Sequence, residues 1–166
     1  MLVGSEPSST VDVDGLAYSY PRGCTDTNLL PKSLENIFVE YMRDTGFPQP
    51  RSGSLAPWAR KGVLLWNNCL TVKESYPFSH AGFGWHKLTQ EIIDTLYLTN
   101  KNTVFVFWGP KTEHYIDTLP SDALVLDIGS PSLVMASKGF FGSSPFTKIN
   151  SMLAGKGLAP IDWRLP

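Results

Sequence analysis

The sequence has 166 residues, a mass of 18.4 kDa and a net charge of −1, from 14 Lys and Arg against 15 Asp and Glu. This length suits one domain, and 42% hydrophobic residues suffice for a core, which excludes global disorder. A near-neutral charge argues against a nucleic-acid binder of the strongly basic kind. We therefore expect one compact domain over residues 1–166.

The cysteines and histidines indicate no metal site. Cys24 and Cys69 form no Cys-x-x-Cys pair, and none of the three histidines is paired at metal-ligand spacing. A reduced, cytoplasmic compartment is the default for such a chain. No apolar run approaches the roughly 20 residues of a membrane span, and no signal peptide opens the sequence. We expect no cofactor, no metal and no membrane contact.

Four short apolar runs predict strands, at Met1–Gly4, Gly62–Leu70, Thr103–Gly109 and Ala123–Ile128. The last two are rich in β-branched and aromatic residues and carry almost no charge. Such runs are typical of strands that are buried on both faces of a parallel sheet.

Helical patterns lie between the strands. Ser33 is a predicted N-cap for a helix whose apolar positions run from Leu34 to Tyr41. Trp85–Leu98 is a second predicted helix, and Thr147–Leu153, ended by Gly155, is a third. Strands that alternate with helices predict an α/β layered fold, in which ligands bind beyond the carboxyl ends of the strands. The loops after residues 4, 70, 109 and 128 are the candidate site.

Seven motifs follow one another along nearly the whole chain. They are GLAYSY at Gly15–Tyr20, PKSLENIF at Pro31–Phe38, GVLLWNNCLTV at Gly62–Val72, SHAGFGW at Ser79–Trp85, FVFWG at Phe105–Gly109, KGFFGSSPFTKIN at Lys138–Asn150 and PIDW at Pro160–Trp163. In this order and spacing the chain resembles the uracil-DNA glycosylases of family 1. The resemblance implies a three-layer α/β fold around a central four-stranded parallel sheet. From the start of the sequence at the first predicted strand, we expect the domain to lack the N-terminal helical segment that precedes this strand in most relatives.

The resemblance also implies a mechanism, in which a nucleotide is flipped out of the DNA and the bond from base to sugar is cleaved. The family places its water-activating Asp in a loop reading GQDPYH, and the matching residue here is Glu6. A carboxylate can stabilise an oxocarbenium-like sugar cation and orient a water, so Glu6 is the candidate catalytic carboxylate. The alternative is a solvated loop carboxylate.

The same resemblance assigns the base pocket. Tyr18 matches the aromatic residue that stacks on the flipped base, and Asn67 matches the amide that distinguishes uracil from cytosine. Ser5 lies in the matching loop beside Glu6, and we place it among the base-binding residues. Ser8 stands where the family has a Tyr that excludes C5 substituents, so the pocket is expected to be open at C5. Alternatives are a structural Asn, an ordinary core Tyr and another side chain filling the C5 space.

The largest departure from the family lies after the fourth strand. The family reads HPSPLS there, and its catalytic His corresponds to Ser130, which makes Ser130 a weaker candidate donor to the leaving base. Leu133 or Val134 is the candidate wedge that enters the duplex, or else loop packing. The candidate DNA contacts are Ser33, His80, Ser132, Leu133, Val134, Lys138 and Lys148.

Two functions fit these residues. The first is a DNA glycosylase that hydrolyses the N-glycosidic bond of a flipped uracil or C5-modified uracil and leaves an abasic site. The alternative is a catalytically impaired accessory factor that binds DNA or protein. Either would act as a monomer on DNA, with replication or repair proteins as further partners, in the cytoplasm, nucleoid or nucleus. The net charge of −1 predicts weak binding to undamaged duplex.

Overall fold

The computed structural model describes residues 1–9, 13–20 and 30–166. Four strands, β1 (Leu2–Gly4), β2 (Leu65–Asn67), β3 (Val104–Trp108) and β4 (Leu124–Ile128), form one parallel sheet in the order β2-β1-β3-β4. The predicted four-stranded parallel sheet is therefore confirmed. Because all four strands are parallel, their carboxyl ends meet at one edge.

Helices cover both faces of this sheet. Their bounds are α1 (Lys32–Thr45), α2 (Ala56–Arg60), α3 (Trp85–Thr99) and α4 (Pro145–Gly155), with a 3-10 helix at Glu113–Thr118. One apolar cluster joins one face of the sheet to α1, α2 and α4. A second cluster joins the other face to α3 and the 3-10 helix. The predicted three-layer arrangement is confirmed.

Strand β3 shows how the two clusters share the sheet. Val104, Val106 and Trp108 belong to the first cluster, whereas Phe105 and Phe107 belong to the second. Successive side chains of a strand point to opposite faces, so an unbroken apolar run serves both layers. The prediction that this run is buried on both faces is confirmed.

Two strands differ from the sequence-based expectation. Strand β4 is only partly buried, and its Asp127 is exposed, because β4 is the edge of the sheet. Strand β2 covers only Leu65–Asn67 of the predicted run, since Gly62, with φ of 90°, still belongs to the turn after α2. The short helix α2 was not among the predicted helices.

The helix ends also differ. The prediction of Ser33 as an N-cap is wrong: helix α1 begins at Lys32 with Pro31 at the cap, and the backbone carbonyl of Pro31 accepts from the Leu34 N–H at 2.8 Å. Gly155 is the last residue of α4 and not its cap, a position taken by Lys156.

The described residues also bear on the cysteines, metals and membranes. Cys69 is buried and free, and Cys24 lies outside the described residues. Within the described ranges no group of three or more His, Cys, Asp or Glu side chains could hold a metal ion. None of the described helices is long and apolar enough to cross a bilayer.

Two carboxylates on α1 anchor the segment that leads into α4. Glu40 is fully buried, and its two carboxylate oxygens accept hydrogen bonds from the backbone N–H groups of Gly142 at 2.7 Å and Ser144 at 2.9 Å. One turn further, Asp44 accepts from the N–H of Phe146 at 2.7 Å. These contacts fix the position of the loop between β4 and α4 against α1.

We predict that Glu40→Ala destabilises the protein, because it leaves two N–H groups without acceptors. Unsatisfied buried groups cost about 1–3 kcal/mol each, so the expected loss of unfolding free energy is about 2–6 kcal/mol. Urea unfolding measures it. Glu35→Ala on the same helix is the matched control, because Glu35 makes only an exposed ion pair with Lys32 and should cost less than about 1 kcal/mol. Equal losses in the two variants would contradict the assignment.

Candidate active site

A cleft of about 390 Å³ opens at the carboxyl edge of β1 and β2. The loops that follow these two strands line it, together with three segments around residues 15–19, 31–34 and 130–132. The cleft therefore lies where the alternation of strands and helices predicts it. Eight predicted site residues line it: Ser5, Glu6, Ser8, Tyr18, Ser33, Asn67, Ser130 and Ser132.

Gly4 lets two of these side chains converge at the end of β1. The parallel register pairs Gly4 with Asn67. A Cβ on Gly4 would lie 2.7 Å from Cε2 of Tyr18 and 2.9 Å from Oδ1 of Asn67. Both distances are shorter than packed side chains allow, so this position requires glycine for the tyrosine ring and the amide to approach each other.

The backbone of Tyr18 is held in an unusual conformation. Its φ is 64°, a left-handed value that is strained for an aromatic residue and is found mainly at functional positions. The neighbouring Ser19 holds it, since the Ser19 hydroxyl donates to Asp14 at 2.6 Å and accepts from the Leu55 N–H at 2.9 Å. Burial raises the pKa of the Tyr18 hydroxyl well above its ordinary value, so the ring stays neutral.

The Tyr18 ring also packs against aromatic residues of the core. The rings of Tyr18 and Trp108 lie with centroids 5.2 Å apart in a tilted arrangement. Trp108 in turn packs edge-on against Phe140 at 5.3 Å. The tyrosine ring is therefore a rigid wall of the cleft, and a planar group in the cleft can stack on it.

Asn67 carries the polar part of the cleft. Its side chain is 8% exposed, and no described residue forms a hydrogen bond with its amide. An amide can donate from its nitrogen and accept at its oxygen, and a buried amide needs such partners. The free amide can therefore bind a ligand in the cleft that presents an acceptor and a donor side by side.

Glu6 is the carboxylate at the rim. Its two oxygens accept from the backbone N–H of Phe78, at 3.1 Å and 2.9 Å. Burial raises the pKa of Glu6, and this effect is partly offset by the Phe78 hydrogen bond and by the positive charge of Lys111. The Phe78 N–H therefore holds the carboxylate in place. No basic side chain in the described part of the chain forms an ion pair with Glu6.

Ser130 lies across the cleft, close to Gly109. Its Oγ accepts from the Ser132 N–H at 3.2 Å, which leaves its own O–H proton available to a ligand. The loop is anchored from α1, because the buried Asn36 amide donates to the carbonyl oxygen of Pro131 at 2.8 Å. The hydroxyl therefore occupies a defined position.

Five predicted DNA contacts lie outside the cleft lining. Leu133 and Val134 are 69% and 73% exposed at the tip of the loop after β4. Lys138 is exposed further along that loop, and Lys148 is on the exposed side of α4. His80 bonds to the Thr71 hydroxyl at 2.9 Å and stacks on Phe83.

Sequence reasoning missed four contributions to the site. Phe78 reaches Glu6 through its backbone, which no side-chain motif could reveal. Lys111 follows β3 and acts on Glu6 through space. Asn36 has no signal beyond its place within PKSLENIF. The role of Gly4 was also missed, although its position at the end of a predicted buried strand was a usable signal.

The fold and the cleft define a DNA glycosylase. The family model described as "Uracil DNA glycosylase superfamily" matches residues 1–154, and the chain belongs to this superfamily. It is 42% identical over 168 residues to the uracil-DNA glycosylases of Mycolicibacterium smegmatis and Mycobacterium leprae, and the match covers 100% of this chain and 73% of each relative.

Solved structures show the same fold. The crystal structure of mimivirus uracil-DNA glycosylase superposes with a TM-score of 0.87 at 23% identity, covering 99% of this chain and 67% of that one. A variant of the mimivirus protein in complex with UGI gives a TM-score of 0.88 at 24% identity and covers 68% of that chain.

We predict that Lys111→Met raises the pKa of Glu6 further. Desolvation already raises this pKa, and the variant removes a charge that favours the carboxylate. As the pH falls, Glu6 should then protonate at a higher pH than in the parent protein. Carboxyl-carbon NMR titration measures the change. Lys101→Met is the control, because the Lys101 ammonium lies over the Tyr97 ring on α3; an unchanged or lowered Glu6 pKa in Lys111→Met would refute the coupling.

Proposed function

We propose that this chain hydrolyses the N-glycosidic bond of uracil in DNA and releases the free base, leaving an abasic site. The observation that carries this proposal is the convergence of Glu6, Tyr18 and Asn67 on one cleft. Their chemistry matches the three tasks of base excision: to hold the base, to read it and to stabilise the sugar cation. The relatives at 42% identity are named uracil-DNA glycosylases.

Base recognition uses the tyrosine ring and the free amide. A flipped base stacks on Tyr18, an interaction worth about 1–3 kcal/mol per base. The Asn67 amide donates to O4 of uracil and accepts from N3–H. Cytosine presents an amino group and an unprotonated nitrogen at these positions, so it would place donor against donor. This readout favours uracil because a mismatch leaves buried polar groups unpaired.

Bond cleavage uses the rim of the cleft. As the bond between C1′ of the sugar and N1 of uracil lengthens, positive charge develops on the sugar and negative charge on the base. The Glu6 carboxylate stabilises the first charge and orients the water whose oxygen bonds to C1′. The Ser130 hydroxyl donates to O2 of the departing uracil anion. The water's proton ends on the base or in solvent, which balances the hydrolysis without a cofactor.

The loop after β4 supplies the DNA contacts of this proposal. Leu133 and Val134 are exposed apolar side chains, and exposed apolar tips beside a cleft are typical of a binding surface. We assign them to the space that the flipped base leaves. Lys138 on the same loop and Ser33 and Ser132 at the rim reach phosphates, which position the protein without reading sequence.

The remaining assignments are less direct. His80 and Lys148 lie away from the cleft and serve as outer phosphate contacts. Ser5 lines the cleft and is assigned to base binding. We further propose that the protein acts as a monomer wherever the DNA is, with replication or repair proteins as further partners.

We predict that Glu6→Gln lowers the release of uracil by at least about 10²-fold, the effect of removing one electrostatic stabiliser. Gln keeps an acceptor for the Phe78 N–H, so the loop should retain its position. Alkaline cleavage of a uracil-containing oligonucleotide measures the abasic product. Glu35→Gln, which lies outside the cleft lining on α1, is the control and should behave as the parent protein. Undiminished cleavage by Glu6→Gln would contradict the assigned role.

We further propose that the pocket admits substituents at C5 of uracil. Ser8 lines the cleft in the loop after β1, and serine is much smaller than the tyrosine of the family motif. The substrate range therefore includes thymine or 5-hydroxymethyluracil beside uracil.

We predict that Ser8→Tyr removes activity on 5-hydroxymethyluracil and keeps activity on uracil, because the ring fills only the C5 space. Excision from matched oligonucleotides with uracil, thymine or 5-hydroxymethyluracil measures the ratio. Ser8→Ala is the control and should keep both activities. If the parent protein acts on plain uracil alone, the open C5 pocket is wrong, while the uracil-excision proposal stands.

A further inference from the structure

A buried tyrosine links two loops at the carboxyl edge of the sheet. Tyr115 lies in the 3-10 helix that follows β3, and its side chain is only 1% exposed. Its hydroxyl donates a hydrogen bond to Oδ1 of Asn68, in the loop that follows β2. Strand β1 lies between β2 and β3 in the sheet. The contact therefore joins the loops that follow the two neighbours of β1, the strand that leads into the loop of the candidate catalytic carboxylate.

The Tyr115 side chain is held in one position. Its ring stacks on Phe107 of β3, with centroids 6.1 Å apart and an angle of 24° between the planes. The hydroxyl also lies 3.2 Å from the carbonyl oxygen of His86 on α3. Burial raises the pKa of this hydroxyl, so it keeps its proton and remains a donor. Tyr115 therefore presents a fixed donor to the loop after β2.

The backbone around Asn68 is bonded to the end of β1. The Asn68 N–H donates to the Gly4 carbonyl at 2.8 Å, and the Cys69 N–H donates to the Ser5 carbonyl at 2.9 Å. Glu6 directly follows these two carbonyl groups in the chain. A shift of Asn68 would therefore move the loop of the carboxylate together with the base-reading amide of the preceding residue.

Helix α3 binds the same segment through a buried threonine. The Thr89 hydroxyl donates to the Asn68 carbonyl at 3.2 Å and accepts from the indole N–H of Trp66 at 3.0 Å. Asn68 is thus bonded at its N–H, at its carbonyl and, by Tyr115, at its side chain. Only the last of these bonds can be removed without altering a backbone group, which makes the tyrosine hydroxyl a clean point of intervention.

We propose that Tyr115 is a positioning residue for base excision: through Asn68, its hydroxyl holds the Asn67 amide and the Glu6 loop in their working arrangement. The inference rests on the proposed function and deepens it by adding a residue that does not line the cleft. Small displacements of reacting groups cost large factors in rate. The hydroxyl therefore acts on the chemical step, whereas the proposed binding of DNA depends on the loop after β4.

The test removes only the hydroxyl, in Tyr115→Phe, and keeps the ring that stacks on Phe107. Excision of uracil from an oligonucleotide gives kcat and KM separately, and urea unfolding shows whether each variant is folded under the assay conditions. Tyr97→Phe is the matched control. Tyr97 belongs to the same apolar cluster, and its hydroxyl donates to Asp122, outside the cleft lining.

We expect Tyr115→Phe to lower kcat by about 10- to 100-fold, because a displacement of about 1 Å can cost that much. KM should stay within about threefold, since the bond acts on the transition state and not on DNA binding. Asn68→Ala should cause a similar loss, and the double variant should lose no more than either single one, because both changes break the same bond. Additive losses, or an equal loss in Tyr97→Phe, would overturn the proposal.

Amide hydrogen exchange separates this inference from the proposed function. In Tyr115→Phe the N–H groups of Asn68 and Cys69 should exchange about 2- to 10-fold faster, the range for one neutral hydrogen bond. Tyr97→Phe should leave them unchanged. If the parent protein yields no abasic product but this exchange changes, uracil excision fails and the support of the cleft by Tyr115 stands. If it yields abasic product and Tyr115→Phe keeps the parent's kcat, the positioning role fails alone.

Discussion

The absence of a side chain at Gly4 is the constraint on which the cleft depends. Strand β1 ends there, and the parallel register places Asn67 beside it. Tyr18 arrives from the following loop in a left-handed conformation, and its ring occupies the space that any Cβ on Gly4 would claim. Because strand β1 ends with glycine, the tyrosine ring and the amide can both face the same ligand. A planar polar base fits between such groups, with its face on the ring and its edge on the amide.

Long-range hydrogen bonds hold the rest of the site around this point. Backbone N–H groups of Phe78 and Gly142 bind the carboxylates of Glu6 and Glu40, and the Asn36 amide binds the Pro131 carbonyl. Each bond joins a loop to a segment far away in sequence. Hydrogen bonds to charged groups are stronger than neutral ones, so three loops without regular structure are kept in fixed positions. Catalytic geometry depends on such positioning, because small displacements of reacting groups cost large factors in rate.

The sheet, its three layers and most of the cleft could be predicted from sequence, because they depend on patterns that are visible along the chain. The unbroken apolar run of β3 predicted a buried strand, and the order of the motifs placed Asn67 in the cleft. The position of β4 at the edge of the sheet could not be predicted, because a run of apolar residues does not show which strands lie beside it. The prediction of Ser33 as an N-cap is wrong because the helix begins before it, with Pro31, two residues earlier, at the cap position. The contact from Phe78 to Glu6 uses a backbone group, which leaves no trace in side-chain chemistry.

The small net charge bears on how the proposed binding of DNA is achieved. A chain of −1 has few cations to release counterions from a DNA backbone, so phosphate contacts alone give it weak affinity. Stacking does not depend on that supply, and under the proposed function the Tyr18 ring offers a stacking face inside the cleft. Lys73 and Lys111 each place an ammonium group over an aromatic ring, Tyr76 and Phe78 respectively. Lys111 also favours the charged form of Glu6, which is the form that the proposed mechanism needs beside the sugar cation.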